Sequence, residues 1–159
     1  CTIMFLSLII PVYNAERYIG QCLDSLLNQD LPAQDYEIIC VNDGSKDETA
    51  DIMNAYTARD SRIKAIHKEN GGVTSARLRG VAEATGDYIG FVDGDDWVEP
   101  QMFAQLLENA EKFSADGIIP FTKYSYSLLT RSSFLFSICC LSHLSHEQIR
   151  CTVGKSLCV

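Results

Sequence analysis

Along the first 120 residues, short apolar runs alternate with segments in which apolar side chains recur every three or four positions. The runs at 5–10, 36–41, 63–67, 88–92 and 117–119 have the length and bounding residues of buried strands. Between the first two, Ile19, Cys22, Leu23, Leu26 and Leu27 follow the i, i+3, i+4, i+7, i+8 spacing of a helix with one buried face. Ser45-Lys46-Asp47-Glu48 matches a capping box, in which the Ser45 hydroxyl takes the Glu48 amide and Glu48 reaches back; it predicts a second helix running to Arg59. A third helix fits 74–84 and stops at Gly86. A fourth starts near Pro100, with Phe103, Leu106, Leu107 and Ala110 on its stripe.

Strand and helix in alternation predict an α/β fold: a mostly parallel sheet with helices on both faces. Right-handed crossovers bring the C-terminal ends of the strands to one edge, where ligands bind at the point at which strand order reverses. The residues that follow each strand are therefore where chemistry is expected. They are Pro11-Val12-Tyr13-Asn14-Ala15-Glu16, Asn42-Asp43-Gly44-Ser45, Lys68-Glu69-Asn70-Gly71-Gly72 and Asp93-Gly94-Asp95-Asp96.

Charge sharpens this picture. The 159 residues carry a net −8, which argues against a nucleic-acid backbone as partner. Residues 1–120 hold 9 basic and 20 acidic side chains, whereas 121–159 hold 4 basic and 1 acidic, together with eight serines and four of the seven cysteines. The chain thus divides into an acidic, patterned domain, 1–120, and a tail, 121–159, without sustained periodicity. An odd number of cysteines, with Cys22 and Cys40 inside apolar segments, favours a reducing compartment. The opening apolar run lacks a basic leader and reads as a core strand rather than a signal peptide. The apolar stretch 134–141 is far short of the roughly 20 residues of a spanning helix.

The last loop is chemically the sharpest. Side chains alternate along an extended segment, so Asp93 and Asp95 are expected to point the same way. Two carboxylates about 4 Å apart repel by roughly 4 kcal/mol at an effective dielectric of 20, which a hard divalent cation, Mg²⁺ or Mn²⁺, relieves. On spacing alone the triplet reads equally as a solvated turn, with Asp96 capping the next helix. Asp43-Gly44, taken singly, reads as a turn, and Tyr13-Asn14 as loop packing and a cap.

The four loops in combination carry more. Residues 5–16 (FLSLIIPVYNAE), 37–49 (EIICVNDGSKDET), 69–80 (ENGGVTSARLRG) and 86–100 (GDYIGFVDGDDWVEP) closely resemble the nucleotide-sugar-binding half of family 2 glycosyltransferases, which have the Rossmann-like GT-A fold. The resemblance covers residues 5–119. One position departs from it: the usual Ala-Arg-Asn is here Ala76-Arg77-Leu78.

The resemblance implies a UDP-sugar site and an incomplete GT-A domain. By position, Asp43 accepts from the uracil ring, and Pro11, Val12, Tyr13 and Asn14 line the base and ribose side with Glu16. Arg77 approaches base or phosphates. Asp93 and Gly94 lie by the ribose and ion, and Asp93 with Asp95 hold Mn²⁺ or Mg²⁺ against the diphosphate. The implied reaction is transfer of one sugar to an acceptor hydroxyl with inversion, in a bacterial polysaccharide pathway. The implied acceptor is a glycan or lipid-linked glycan, and the implied location the cytoplasm at the inner face of the cell membrane. A general base is required within about 3 Å of the attacking hydroxyl. After residue 111 the acids are Asp116 and Glu147, neither in the expected context.

The tail resembles no part of the family. It reads as a truncation or frameshift product, or as a divergent end. Cys139-Cys140-x-x-His143-x-x-His146 lacks zinc-site spacing, and Gly154-Lys155-Ser156 lacks the upstream glycine and strand of a P-loop. His67 reads as packing. A non-catalytic nucleotide-sugar-binding module therefore stands beside the enzyme, and a phosphoryl-transfer domain ranks behind both.

Overall fold

A computed structural model describes residues 5–112, 119–120 and 137–140, with the surroundings of side chains for 5–108. Strands β1 (Leu6–Val12), β2 (Tyr36–Asp43), β3 (Ile63–Lys68), β4 (Tyr88–Phe91), β5 (Ile119–Pro120) and β6 (Ser137–Cys140) form one sheet in the order β3-β2-β1-β4-β6-β5. β1 to β4 are mutually parallel. β6 runs antiparallel to β4, with Tyr88 opposite Cys140, and pairs with β5. Order reverses at β1, which lies between β2 and β4, so the ligand-binding crevice expected of such a sheet opens beyond Val12.

β1 and β2 are buried along their whole lengths, as strands covered on both faces must be. On one face Leu6, Leu8, Ile10, Ile38 and Cys40 meet α1 (Ile19–Leu27), Met53 of α2 (Thr49–Arg59), and Phe103 and Leu106 of α4 (Met102–Lys112). On the other, Ile9, Ile89 and Phe91 meet Leu78 and Val81 of α3 (Val73–Glu83), while Ile39 and Val41 meet Ala76. α3 has no long apolar stripe and packs by closeness instead. A Cβ at Gly80 would overlap Ile9 Cγ2.

The expected strands and helices are present, with ends displaced by a few residues. Two local expectations are corrected. The second helix starts at Thr49 and not at a Ser45 box: the Ser45 hydroxyl accepts the Asn14 amide, and the Glu48 amide donates to Glu16 Oε2. In addition, Ser137–Cys140, for which no element was expected, joins the sheet beside β4. Among the described residues no helix is long and apolar enough to cross a membrane.

At the N-terminal edge of the sheet, Glu37 Oε1 accepts from Ser7 Oγ at 2.7 Å and from the amide and hydroxyl of Thr85 at 2.8 Å. Lys64 Nζ reaches its other oxygen at 2.6 Å. Burial alone would raise the Glu37 pKa, but Lys64, Thr85 and Ser7 outweigh it and hold the carboxyl below the usual range.

Candidate functional site

The loops after β1 and β2 are sewn into one unit. The amides of Asn14, Ala15 and Glu16 donate to Ser45 Oγ, Thr49 Oγ1 and Asp47 Oδ2, at 2.9, 2.9 and 3.2 Å. In return the Lys46 amide donates to Asn14 Oδ1 at 2.9 Å and the Glu48 amide to Glu16 Oε2 at 3.1 Å. Asn14 takes a positive φ of 48°, a conformation asparagine tolerates better than most residues. Tyr13 stands just before it, half exposed at the sheet edge. Glu16, expected beside the ribose, has its carboxylate at the start of α2, where it satisfies an end amide.

Asp43 ends β2 and is 3% exposed. Its Oδ1 accepts from Lys68 Nζ at 2.5 Å and from the Gly71 amide at 3.0 Å, and its Oδ2 from the Gly72 amide at 2.8 Å. Burial pushes its pKa up, yet the Lys68 ammonium and the two amides more than compensate, leaving it below the ordinary carboxylate range. Two glycines permit this geometry. Gly72 has a φ of 87°, and at Gly44, with φ 75°, a Cβ would stand 2.8 Å from the Asn70 nitrogen. Beside Asp43, Asn42 accepts the Ser45 amide at 2.9 Å and its amide nitrogen reaches His67 Nδ1 at 3.1 Å. His67 Nε2 lies 2.9 Å from Asn54 Oδ1, so His67 braces the loop from the edge strand.

The residues after β4 are not extended, which corrects the expected alternation of Asp93 and Asp95. The Asp96 amide donates to the Asp93 carbonyl at 3.0 Å, closing a turn. In this turn Asp93 is half-buried, Asp95 exposed and Asp96 buried. Nor does Asp96 cap the next helix, which begins at Met102. Gly94 lets the turn settle on the end of β1, where a Cβ would come within 3.2 Å of Val12 Cγ2 and 3.4 Å of the Pro11 carbonyl.

Arg77 reaches up from α3 and donates from Nη2 to Asp93 Oδ1 at 2.9 Å, its guanidinium lying 5.7 Å from the centre of the Phe91 ring. Among the described residues its Nε and Nη1 are buried without a hydrogen-bond partner. Beneath the turn, Cys22 Sγ donates to the Asp93 carbonyl at 3.7 Å. Burial raises the Cys22 thiol well above its usual pKa and lifts Cys40 to about 12, so both are inert packing groups.

Among the described residues no three His, Cys, Asp or Glu side chains converge as a metal cage. The exposed Asp95 and the Asp93 oxygen not used by Arg77 are hard donors of the kind Mg²⁺ and Mn²⁺ accept when phosphate oxygens and water complete the shell. Pro11, Val12, Tyr13, Asn14, Asp43, Arg77, Asp93, Gly94 and Asp95 thus share the edge where strand order reverses. Lys68 and the Gly71-Gly72 amides were not expected to hold Asp43; the adjacent glycines were the only hint. Asp116, Glu147, His143 and His146 lie outside the described residues.

Residues 7–135 match the profile described as "Glycosyl transferase family 2". The chain is 51% identical over 114 residues to the uncharacterized glycosyltransferase EpsJ of Bacillus subtilis, covering 72% of this chain and 33% of that protein. Its fold is similar to that of S. aureus TarS 1-349 in complex with UDP-GlcNAc, with a TM-score of 0.75, 22% identity, and coverage of 96% and 53% of the two chains. It is also similar to mannosyltransferase PcManGT from Pyrobaculum calidifontis in complex with GDP-Man and Mn²⁺, with a TM-score of 0.67, 21% identity, and coverage of 87% and 45%. The chain spans about a third of the length of EpsJ. With its strand order, its four edge loops and a family match over most of its length, this chain belongs to glycosyl transferase family 2 and has the GT-A fold.

Proposed function

We propose that this chain is the donor-binding half of a glycosyltransferase that moves a sugar from a UDP-sugar to an acceptor hydroxyl with inversion, using Mn²⁺ or Mg²⁺. The observation that carries the reading is the division of the edge. An exposed aromatic, Tyr13, and a buried ionised acid, Asp43, lie on one side of the reversal point, and the Asp93-Asp95 turn on the other. That arrangement suits a base and a diphosphate held on opposite sides of β1. UDP-GlcNAc bound to TarS, and GDP-Man with Mn²⁺ bound to PcManGT, support a nucleotide-sugar donor and a divalent ion.

In this reading Tyr13 stacks on the base, Asp43 accepts from its edge, and Arg77 fixes the Asp93 carboxylate so that its second oxygen faces the ribose and ion. The ion, when bound, neutralises the diphosphate as it departs. The acceptor is a glycan or lipid-linked glycan at the cytoplasmic face of the membrane, in bacterial polysaccharide synthesis. A base from outside the described residues takes the hydroxyl proton.

Calorimetry with UDP tests the donor site. Affinity should rise at least tenfold when Mn²⁺ is added, and Asp95→Ala should remove that gain. An unchanged response in Asp95→Ala overturns the ion assignment. Tight UDP binding without UDP release over a panel of acceptors favours a binding module instead.

A further inference from the structure

We propose that Lys68 is a specificity-determining residue: by occupying Asp43 Oδ1 it leaves the carboxylate one acceptor position, which selects a base presenting a single N–H, the imide of uracil, against the paired N–H groups of guanine. The inference rests on the assignment of Asp43 to the base made above. An ionised carboxylate offers about four acceptor positions. Lys68 Nζ and the Gly71 amide fill both on Oδ1, and the Gly72 amide fills one on Oδ2. One remains.

The imide edge of uracil has one donor between two carbonyls, so one acceptor satisfies it. Guanine presents N1–H and N2–H side by side, which a carboxylate meets with one lone pair from each oxygen. With Oδ1 full, one of those donors would be buried unpaired, a loss of about tenfold or more in affinity. Cytosine is different again. Its ring nitrogen is an acceptor and opposes the carboxylate whether or not Oδ1 is free.

Lys68 is well placed for this task beside its role as counter-ion to the buried Asp43 carboxylate. It ends the edge strand β3, its side chain is 20% exposed, and its second bond, to the Glu69 carbonyl at 2.6 Å, fixes the ammonium from behind. Removing the ammonium would free one lone pair on Oδ1 while the Gly71 and Gly72 amides still hold the carboxylate in place.

The test is nucleotide binding to the full 159-residue chain with Mn²⁺ present. UDP, N3-methyl-UDP, GDP and CDP are compared on the wild type, Lys68→Met and Lys68→Gln. In the wild type UDP should bind at least tenfold tighter than GDP, and N3-methyl-UDP should bind weakly. Lys68→Met should narrow the UDP-to-GDP ratio about tenfold and leave the UDP-to-CDP ratio within a factor of two. Lys68→Gln, which keeps a weaker neutral donor, should narrow the GDP ratio by about threefold, and it decides the question if Lys68→Met does not fold. An unchanged GDP ratio, or equal changes for GDP and CDP, overturns the role of Lys68. Equal binding of UDP and N3-methyl-UDP to the wild type instead overturns the assignment of Asp43 to the base, and the inference with it.

Discussion

A buried carboxylate persists only where donors surround it, and β2 carries one at each end. Asp43 at the C-terminal end is held by a lysine and two loop amides. Glu37 at the other end is held by Ser7, Thr85 and Lys64. Because the folded pKa of Glu37 is depressed, its stabilisation is fully present above the ordinary glutamate value and is lost as the pH falls through the folded one. Glu37→Gln should therefore lower unfolding stability by about 2 kcal/mol at pH 7. The difference from wild type should shrink below about pH 4, as urea denaturation at the two pH values would record.

The same scale marks where reading from sequence runs out. Asp43, Asp93 and Tyr13 were legible as edge residues because strand ends are legible. The partners of Asp43 were not, since Lys68 ends a different strand and Gly71 and Gly72 follow it. Ser45 and Glu48 formed a convincing local cap, but Asn14 and Glu16, about thirty positions upstream, claimed both groups. Local pattern cannot rank a nearby partner against a distant one.

Among the elements, α3 shows how closeness substitutes for an apolar stripe. Alanine is a better helix former than glycine by about 1 kcal/mol, yet a methyl at position 80 would overlap Ile9, a β-branched side chain in a fully buried strand with little room to yield. Overpacking of this kind costs about 1–3 kcal/mol. Gly80→Ala should therefore lower the melting temperature, and a rise would mean that α3 moves away from β1 freely. The strands were readable from apolar runs, and α1 from its stripe. The turn at Asp93 was harder, because Gly94 reads as a break in any context and only the nearness of Val12 shows what it serves.

For the molecule as a whole, β6 changes what the sheet is. β4 is a four-residue strand paired on both sides, by β1 in parallel and by β6 in antiparallel. Deleting residues 121–159 would turn it into an open edge. Amide exchange at Ile89, whose N–H faces β6, should then accelerate at least tenfold, while the Tyr88 and Val92 amides, which donate to the Phe5 and Ile9 carbonyls on the β1 side, and those of Asn14, Ala15 and Glu16 should change little. Hydrogen-exchange mass spectrometry would check both. Serine and cysteine in the β6 segment hid it from pattern reading, since four residues without clear alternation give too little signal.

The seam between the β1 and β2 loops has a practical consequence for anyone who would transplant this edge. Its five cross-loop bonds are reciprocal, so neither loop holds its shape with a foreign neighbour. A chimera that exchanges only the segment after β1 would import Asn14 with its unusual backbone and leave its partners behind. The two loops are one cassette, to be moved together or left in place.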